Sequence, residues 1–226
     1  VDGVWQPLDR VIERDPVSVL GKRVAERFSN TLPFLFKVLA ADRPLSIQVH
    51  PNLEQAREGF ERENRLGVPL DGAERNYRDP NHKPEILCAI TRFEALNGFR
   101  PPEDVLSLLG RISAEGLSDE LALLRRDPDS RGLSQFFTSL LSMDPSRKRR
   151  CIERAAERAR EYADMDRAFW WAVELNRAYS GDIGVLSPLI FNLVNLGPGE
   201  AFYIPAGELH TYLKGVGMEL MANSDN

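Results

Sequence analysis

Scarcity narrows the field before any motif does. The 226-residue chain holds two cysteines, Cys88 and Cys151, far apart in sequence. A disulfide-stapled secreted scaffold needs a denser framework, and a two-cysteine metal site wants closer spacing. The pair reads as reduced core thiols of a cytoplasmic protein. No uninterrupted apolar run approaches the roughly 20 residues of a membrane span, and no signal-peptide pattern is visible. The net charge is −5, the pI is about 5.4, and there is no sustained basic stripe. That balance argues against nucleic acid as the main partner. Internal repeats and low-complexity segments are missing too. What is present, 42% hydrophobic content, suffices for a real core, as one large domain or a domain plus an insert. The chain opens at Val1 and closes at Asn226 in a polar stretch, the look of a piece of a longer polypeptide.

Three zones differ in pattern. Residues 1–98 mix short apolar runs with Pro and Gly punctuation, and the runs Leu35 to Ala40, Leu45 to His50 and Glu85 to Ile90 read as strands. Asn52 with Gln55 forms a capping-box pair for a helix carrying Phe60 and ending before Gly67. Residues 71–82 read as a polar loop. Residues 99–180 read as helical. Pro101 and Pro102 precede the acids Glu103 and Asp104; Ser118 and Ser134 suit N-caps; Asp144-Pro145 starts another helix. Ile152, Ala155, Ala156, Ala159 and Ala163 recur at helical spacing, and Phe169, Trp170 and Val173 belong to a last segment. The cluster Arg147 to Arg150 reads as a solvated helix face, because Glu153 and Glu157 follow. Residues 181–226 return to strands: Gly181 and Asp182 turn the chain, Leu189 to Leu196 is an apolar run, Gly197-Pro198-Gly199 turns it again, and alternation resumes through Val216, Met218 and Leu220. The order implies one β architecture interrupted by an α insert.

Only three histidines exist, His50, His82 and His210, and none falls in the helical zone. Period two puts Ser46, Gln48 and His50 on one strand face and Leu45, Ile47 and Val49 on the other. Such a face lines a polar cavity or, equally, meets solvent. The second segment is Asn81-His82-Lys83-Pro84-Glu85, where Lys83 and Glu85 could be a surface pair or a metal carboxylate beside a cationic anchor. The third runs from Pro198 to Tyr212. A strand, a Pro-x-Gly turn at Pro205 and Gly207, and then His210 match the second motif of cupin barrels, in which a tight turn re-enters the barrel and aims an imidazole inward. Gln48, His50, Glu85 and His210 would together offer two nitrogen and two oxygen ligands. Zinc accepts that mix with a position left open; iron, manganese or cobalt would also fit.

These segments, with the block Glu219-Leu220-Met221-Ala222-Asn223-Ser224-Asp225-Asn226, resemble the type I phosphomannose isomerases along essentially the whole chain. The resemblance implies a mainly β fold, a cupin-type β-barrel (jelly roll) from residues 1–98 and 181–226 with an α-helical insertion over 99–180. It implies one zinc ion on Gln48, His50, Glu85 and His210, and a pocket lined by Ser46, His82, Lys83, Glu219 and Asp225. It also implies interconversion of mannose 6-phosphate and fructose 6-phosphate. Two departures stand out: an N-terminal strand with an aromatic-Gly motif and a later active-site arginine of the family are not in this sequence.

Moving a proton between C2 and C1 through a cis-enediol needs a base and stabilisation of an oxyanion. Glu219 is the candidate base, facing a cavity while Val216, Met218 and Leu220 face a packed wall. His82, Lys83 and Asp225 compete for the proton. Lys83 and Ser46 are expected to hold the sugar phosphate. A cupin oxygenase would want more histidine, and a passive binding module has less need of Lys83 and Glu219 in its pocket.

Overall fold

In a computed structural model the protein is described over residue 3 and residues 5–112 and 116–226. Its elements are α1 (Leu8–Arg14), α2 (Pro16–Leu20), α3 (Lys22–Arg27), β1 (Phe34–Ala41), α4 (Leu53–Arg65), β2 (Glu85–Ala89), β3 (Phe93–Phe99), α5 (Pro102–Arg111), α6 (Ser118–Arg126), α7 (Ser130–Leu141), α8 (Pro145–Ala159), α9 (Arg167–Ala178), α10 (Ser187–Ile190), β4 (Phe191–Leu196), β5 (Ala201–Ile204) and β6 (His210–Ala222). More of the chain is helical than extended, so the expectation of a mainly β protein is corrected to a mixed one. What the strands do form is an antiparallel sheet curled into a half-barrel.

The curl comes from β6. Its second half pairs with β1 on one side and β2 on the other, from Val216↔Ala40 to Met221↔Glu85. Its first half pairs with β3, from Lys214↔Glu94 to His210↔Asn97. One strand thus belongs to two leaves, and it must bend where it passes between them. Gly215 sits at that bend with φ +134, and a Cβ there would meet Phe93 at 2.6 Å and the Arg92 carbonyl at 2.7 Å. Only glycine fits both demands. The leaves face each other across a small core of Ala41, Leu87, Ala89, Phe93, Ala95, Ile204 and Tyr212.

Behind β3 and β4 lies a larger core, where Leu96, Phe191 and Leu213 pack against Val105, Leu109, Leu124, Phe136 and Phe169 of the helices. A charged clamp fastens α9 to β3. Glu94, 6% exposed, takes Arg167 Nε at 2.8 Å, Arg167 Nη2 at 2.6 Å and Trp171 Nε1 at 3.2 Å. Glu94 is buried but the Arg167 side chain is 42% exposed, so solvent screens the pair, and an exposed pair such as Arg10–Glu13 contributes only about 0–1 kcal/mol.

The strand and helix expectations hold in part. The capping box of Asn52 and Gln55 is made on both sides. Asp144 caps the helix that starts at Pro145. Ser118 opens α6 from just inside it. Ser134, however, is interior to α7, whose cap is Asp129, accepting from Arg131 N and Gly132 N. Residues 45–50 form no regular strand, because Pro44 and Pro51 bracket them; they make an extended strap with a single bridge, Gln48 to His210. The run from Leu189 to Leu196 is split, its first two residues closing α10. Ala163 lies past the end of α8. Arg147 is not part of a solvated face: it forks onto buried Glu120 and the Gly116 carbonyl. Cys88 and Cys151 are both free, and no helix among the described residues is long and apolar enough to cross a membrane. Gly215→Ala should lower unfolding stability by about 2 kcal/mol or more; an unchanged midpoint in urea would contradict the steric account of the bend.

Candidate metal centre

Three segments converge at the open end of the small core. His50 ends the strap, Glu85 opens β2 and His210 opens β6. The turn before His210 needs its glycine. Glu208 N bonds the Pro205 carbonyl at 3.2 Å, and Gly207 has φ +90 at the third position of that four-residue turn. Gly207 N also bonds the His50 carbonyl at 2.7 Å, so one turn places both imidazoles. His50, Glu85 and His210 are 8%, 3% and 1% exposed, and one ligand atom from each lies within 4.8 Å of the others.

The contacts within this cluster are of a particular kind. His50 Nε2 lies 3.2 Å from Glu85 Oε1, and His210 Nε2 lies 3.3 Å from Glu85 Oε2, yet both nitrogens are buried without a hydrogen bond of good geometry. His210 Nδ1 faces the Glu208 carbonyl at 3.1 Å. A carbonyl only accepts, so Nδ1 carries a proton, and in the neutral ring Nε2 is then the lone pair free to bind a cation. Burial alone would favour neutral Glu85, but the imidazoles of His210 and His50 outweigh it and hold its carboxyl far below the usual carboxylate range. Burial opposes charge on His210, and Glu85 and the Glu208 carbonyl overcome it, raising the imidazole above its ordinary value. The donor set, two imidazole nitrogens and a carboxylate, fits a divalent cation, with the His210 Nδ1 bond fixing the ring.

A second layer of buried polar groups adjoins it. Tyr212 Oη donates to Glu219 Oε1 at 2.7 Å and lies 3.4 Å from Glu85 Oε2. Lys37 Nζ stands 2.9 Å from Glu219 Oε2. Burial, then the carboxylates of Glu219 and Glu85, hold the Tyr212 phenol well above its ordinary value, so it remains a proton donor. Glu219, 2% exposed, does face the interior as expected. The wall behind it is not packed: Leu220 is 38% exposed, with Phe36 and Val38 exposed on the same outward face of the sheet.

The other expected residues are placed less tightly. Gln48 exchanges backbone bonds with His210, N to O at 2.8 Å and back at 2.9 Å, which sets its side chain on the same face as the imidazole. Its side chain is exposed, as are those of Ser46, His82 and Asp225, and Lys83 is half-buried. Among the described residues no side-chain bond joins any of them to the cluster. Lys37, Tyr212 and Asn97 escaped the sequence reading. Tyr212 was legible, two residues beyond His210 on the same strand face. Lys37 was legible as a lone charge in the apolar run Phe34 to Ala41. Asn97 pairs with His210 across the sheet, and its Oδ1 is buried without a partner.

A curled antiparallel sheet carrying a buried His-Glu-His cluster beside a Lys-Glu-Tyr chain defines a half-barrel of the metal-centre kind. Residues 3–102 match the family model described as phosphomannose isomerase type I, catalytic domain. The chain is 45% identical over 225 residues to the mannose-6-phosphate isomerase of Salmonella typhimurium, covering 100% of this chain and 56% of that one. It is 46% identical over 218 residues to the enzyme of Escherichia coli, covering 96% and 54%. A solved Salmonella typhimurium structure, bound to its substrate fructose 6-phosphate and zinc, matches with a TM-score of 0.88 at 43% identity over 100% of this chain and 56% of that one. Along its whole length the chain is thus similar to the type I phosphomannose isomerases. It spans about half the length of the curated relatives it matches.

Replacing Tyr212 with Phe leaves Glu219 Oε1 buried without its donor. Urea unfolding should show a loss of about 1–3 kcal/mol; a variant as stable as the parent would remove that bond from the account.

Proposed function

We propose that this chain carries the metal centre of a mannose-6-phosphate isomerase, which interconverts mannose 6-phosphate and fructose 6-phosphate through a cis-enediol. The observation that carries this reading is the pair of buried Nε2 atoms, on His50 and His210, that face the two oxygens of Glu85 at 3.2 Å and 3.3 Å without a hydrogen-bond partner. Zinc is the cation in this reading, held by His50, Glu85 and His210 with the Gln48 amide as the fourth donor. The half-barrel is part of a cupin-type jelly roll built from residues 1–98 and 181–226, and residues 99–180 are its helical insertion. The unpaired cysteines suit a cytoplasmic enzyme. Its partner is a small sugar phosphate, with neither nucleic acid nor membrane involved.

A divalent cation at this site would polarise the oxygens on C1 and C2 of the sugar. The chain's own groups do the rest. Glu219 carries the proton between C2 and C1. Tyr212 and Lys37 fix its two oxygens, so its carboxylate is oriented before substrate arrives. Lys83 and Ser46, on the two segments flanking the cluster, hold the phosphate. The side chains of His82 and Asp225 make no hydrogen bond or ion pair among the described residues and, in this reading, face the sugar hydroxyls.

A coupled assay on mannose 6-phosphate tests the reading. Turnover should vanish with a strong chelator and return with added zinc; turnover that survives a metal-free preparation would refute it. Replacing His210 with Ala should lower bound zinc from about one per chain to under about a tenth by elemental analysis. Retained stoichiometric metal would remove His210 from the ligand set. Lys83→Ala should cost about 100-fold in kcat/KM for phosphorylated sugar and no more than a few-fold for free mannose; equal losses would refute the phosphate anchor.

A further inference from the structure

The segment that carries His82 and Lys83 is not left to its own turns. Asp79, half-buried at the start of it, gathers bonds from a distant part of the chain. Its carboxylate accepts from Ser224 Oγ at 2.9 Å and 3.1 Å, from Asp225 N at 2.7 Å, and from Asn81 N at 2.8 Å. Its backbone is matched as closely. Asn226 Nδ2 donates to the Asp79 carbonyl at 2.8 Å and to the Asn81 carbonyl at 2.9 Å. In return, Asn226 Oδ1 accepts from Arg78 N at 2.7 Å and Asp79 N at 3.3 Å. Asn81 Nδ2 reaches the Asn223 carbonyl at 3.3 Å. The block Asn223 to Asn226 follows directly on β6, and Ala222 N closes the same seam onto the Pro84 carbonyl at 3.2 Å. Asn223 continues it to the segment before β1, with N on the Pro33 carbonyl at 3.2 Å and Nδ2 on the Leu32 carbonyl at 2.9 Å.

A contrast within this seam gives it meaning. Every group named above is used in holding backbone to backbone. The side chains of His82, Lys83 and Asp225, which the same residues place, make no hydrogen bond or ion pair among the described residues. Backbone that is held while three polar side chains stay unengaged is how a loop presents groups to a ligand. A seam made only for stability would gain by pairing Lys83 with Asp225. Among the described residues the carboxylate of Asp79 also meets no cation; four donors, from Asn81, Ser224, Asp225 and Asn226, fix it, and they come from both sides of the seam.

We propose that Asp79 is a positioning residue for the reaction: it locks the Asn81–Glu85 segment to the Asn223–Asn226 block, setting Lys83 and Asp225 at fixed places beside the metal cluster. The inference rests on the isomerase reading and deepens it. Asp79 touches neither metal nor sugar in this account, so its effect passes through Lys83 and Asp225.

The experiment compares parent, Asp79→Asn, Asp79→Ala, Lys83→Ala and the Asp79→Ala/Lys83→Ala double variant of the full-length zinc protein on mannose 6-phosphate. Zinc content and melting temperature are measured on the same samples. An inactive zinc-loaded parent would sink the isomerase reading itself. With an active parent, Asp79→Asn should lose about tenfold and Asp79→Ala about a hundredfold in kcat/KM, the scale of a misplacement near one ångström. Zinc should stay at the parent's content. Removing Lys83 should then cost several-fold less in the Asp79→Ala background than in the parent, because its placement is already lost. Three results would overturn the proposal: both Asp79 variants within twofold of the parent, a loss of activity that tracks loss of zinc, or an undiminished Lys83 effect in the double variant. Should Asp79→Ala not fold, the Asp79→Asn and Asp79→Asn/Lys83→Ala pair supplies the same comparison.

Discussion

The structure turns on a carboxylate flanked by two imidazoles in a place water does not reach. Glu85 is buried, both its oxygens face imidazole nitrogens, and neither nitrogen has a hydrogen-bonding partner of good geometry. Burying a charge is costly unless it is matched, and an unmatched carboxylate inside a protein costs several kcal/mol. The arrangement makes sense as a socket for positive charge. The fold keeps it in place with elements that bear no charge: a glycine bend in β6, a glycine turn ahead of His210, and a small apolar core behind both.

From that socket the polar groups run outward in order. Glu85 meets Tyr212, Tyr212 meets Glu219, and Glu219 meets Lys37 at the half-exposed edge of β1. The short link is the hydrogen bond from Tyr212 Oη to Glu219 Oε1, and Lys37 sets its positive charge beside the other oxygen of Glu219. The rim is built differently. There the chain fastens backbone through Asp79, Ser224, Asn226 and Asn81, and leaves Lys83 and Asp225 unengaged. A buried cluster and a held rim with unengaged side chains are the two halves of the candidate site.

Much of this was legible in the chain. Helix caps carry their own chemistry within three or four residues, so Asn52 with Gln55 and Asp144 with Pro145 could be read directly. The Pro-x-Gly turn before His210 was readable for the same reason. Strand β3 was not, because Asn97 and Gly98 interrupt its alternation. The helices between Leu8 and Arg27 are too short to show a period, although Asp15 before Pro16 marked one of them. The strap at residues 45–50 alternates like a strand, yet Pro44 and Pro51 deny it a ladder. Period two turned Glu219 toward a cavity, as the structure has it, but it gave Leu220 a packed wall where the structure leaves that face of the sheet exposed. Local rules found the clustered residues His50, Glu85 and His210. The groups that support them, Lys37, Tyr212 and Asp79, depend on pairings across the chain that no short window contains.

Anomalous diffraction at the zinc edge, from crystals of the zinc-loaded protein, tests the account at its centre. One strong peak should lie between His50 Nε2, His210 Nε2 and the Glu85 carboxylate, each about 2.0–2.2 Å from the ion. A map with no peak there, or with its strongest peak elsewhere on the chain, would contradict it.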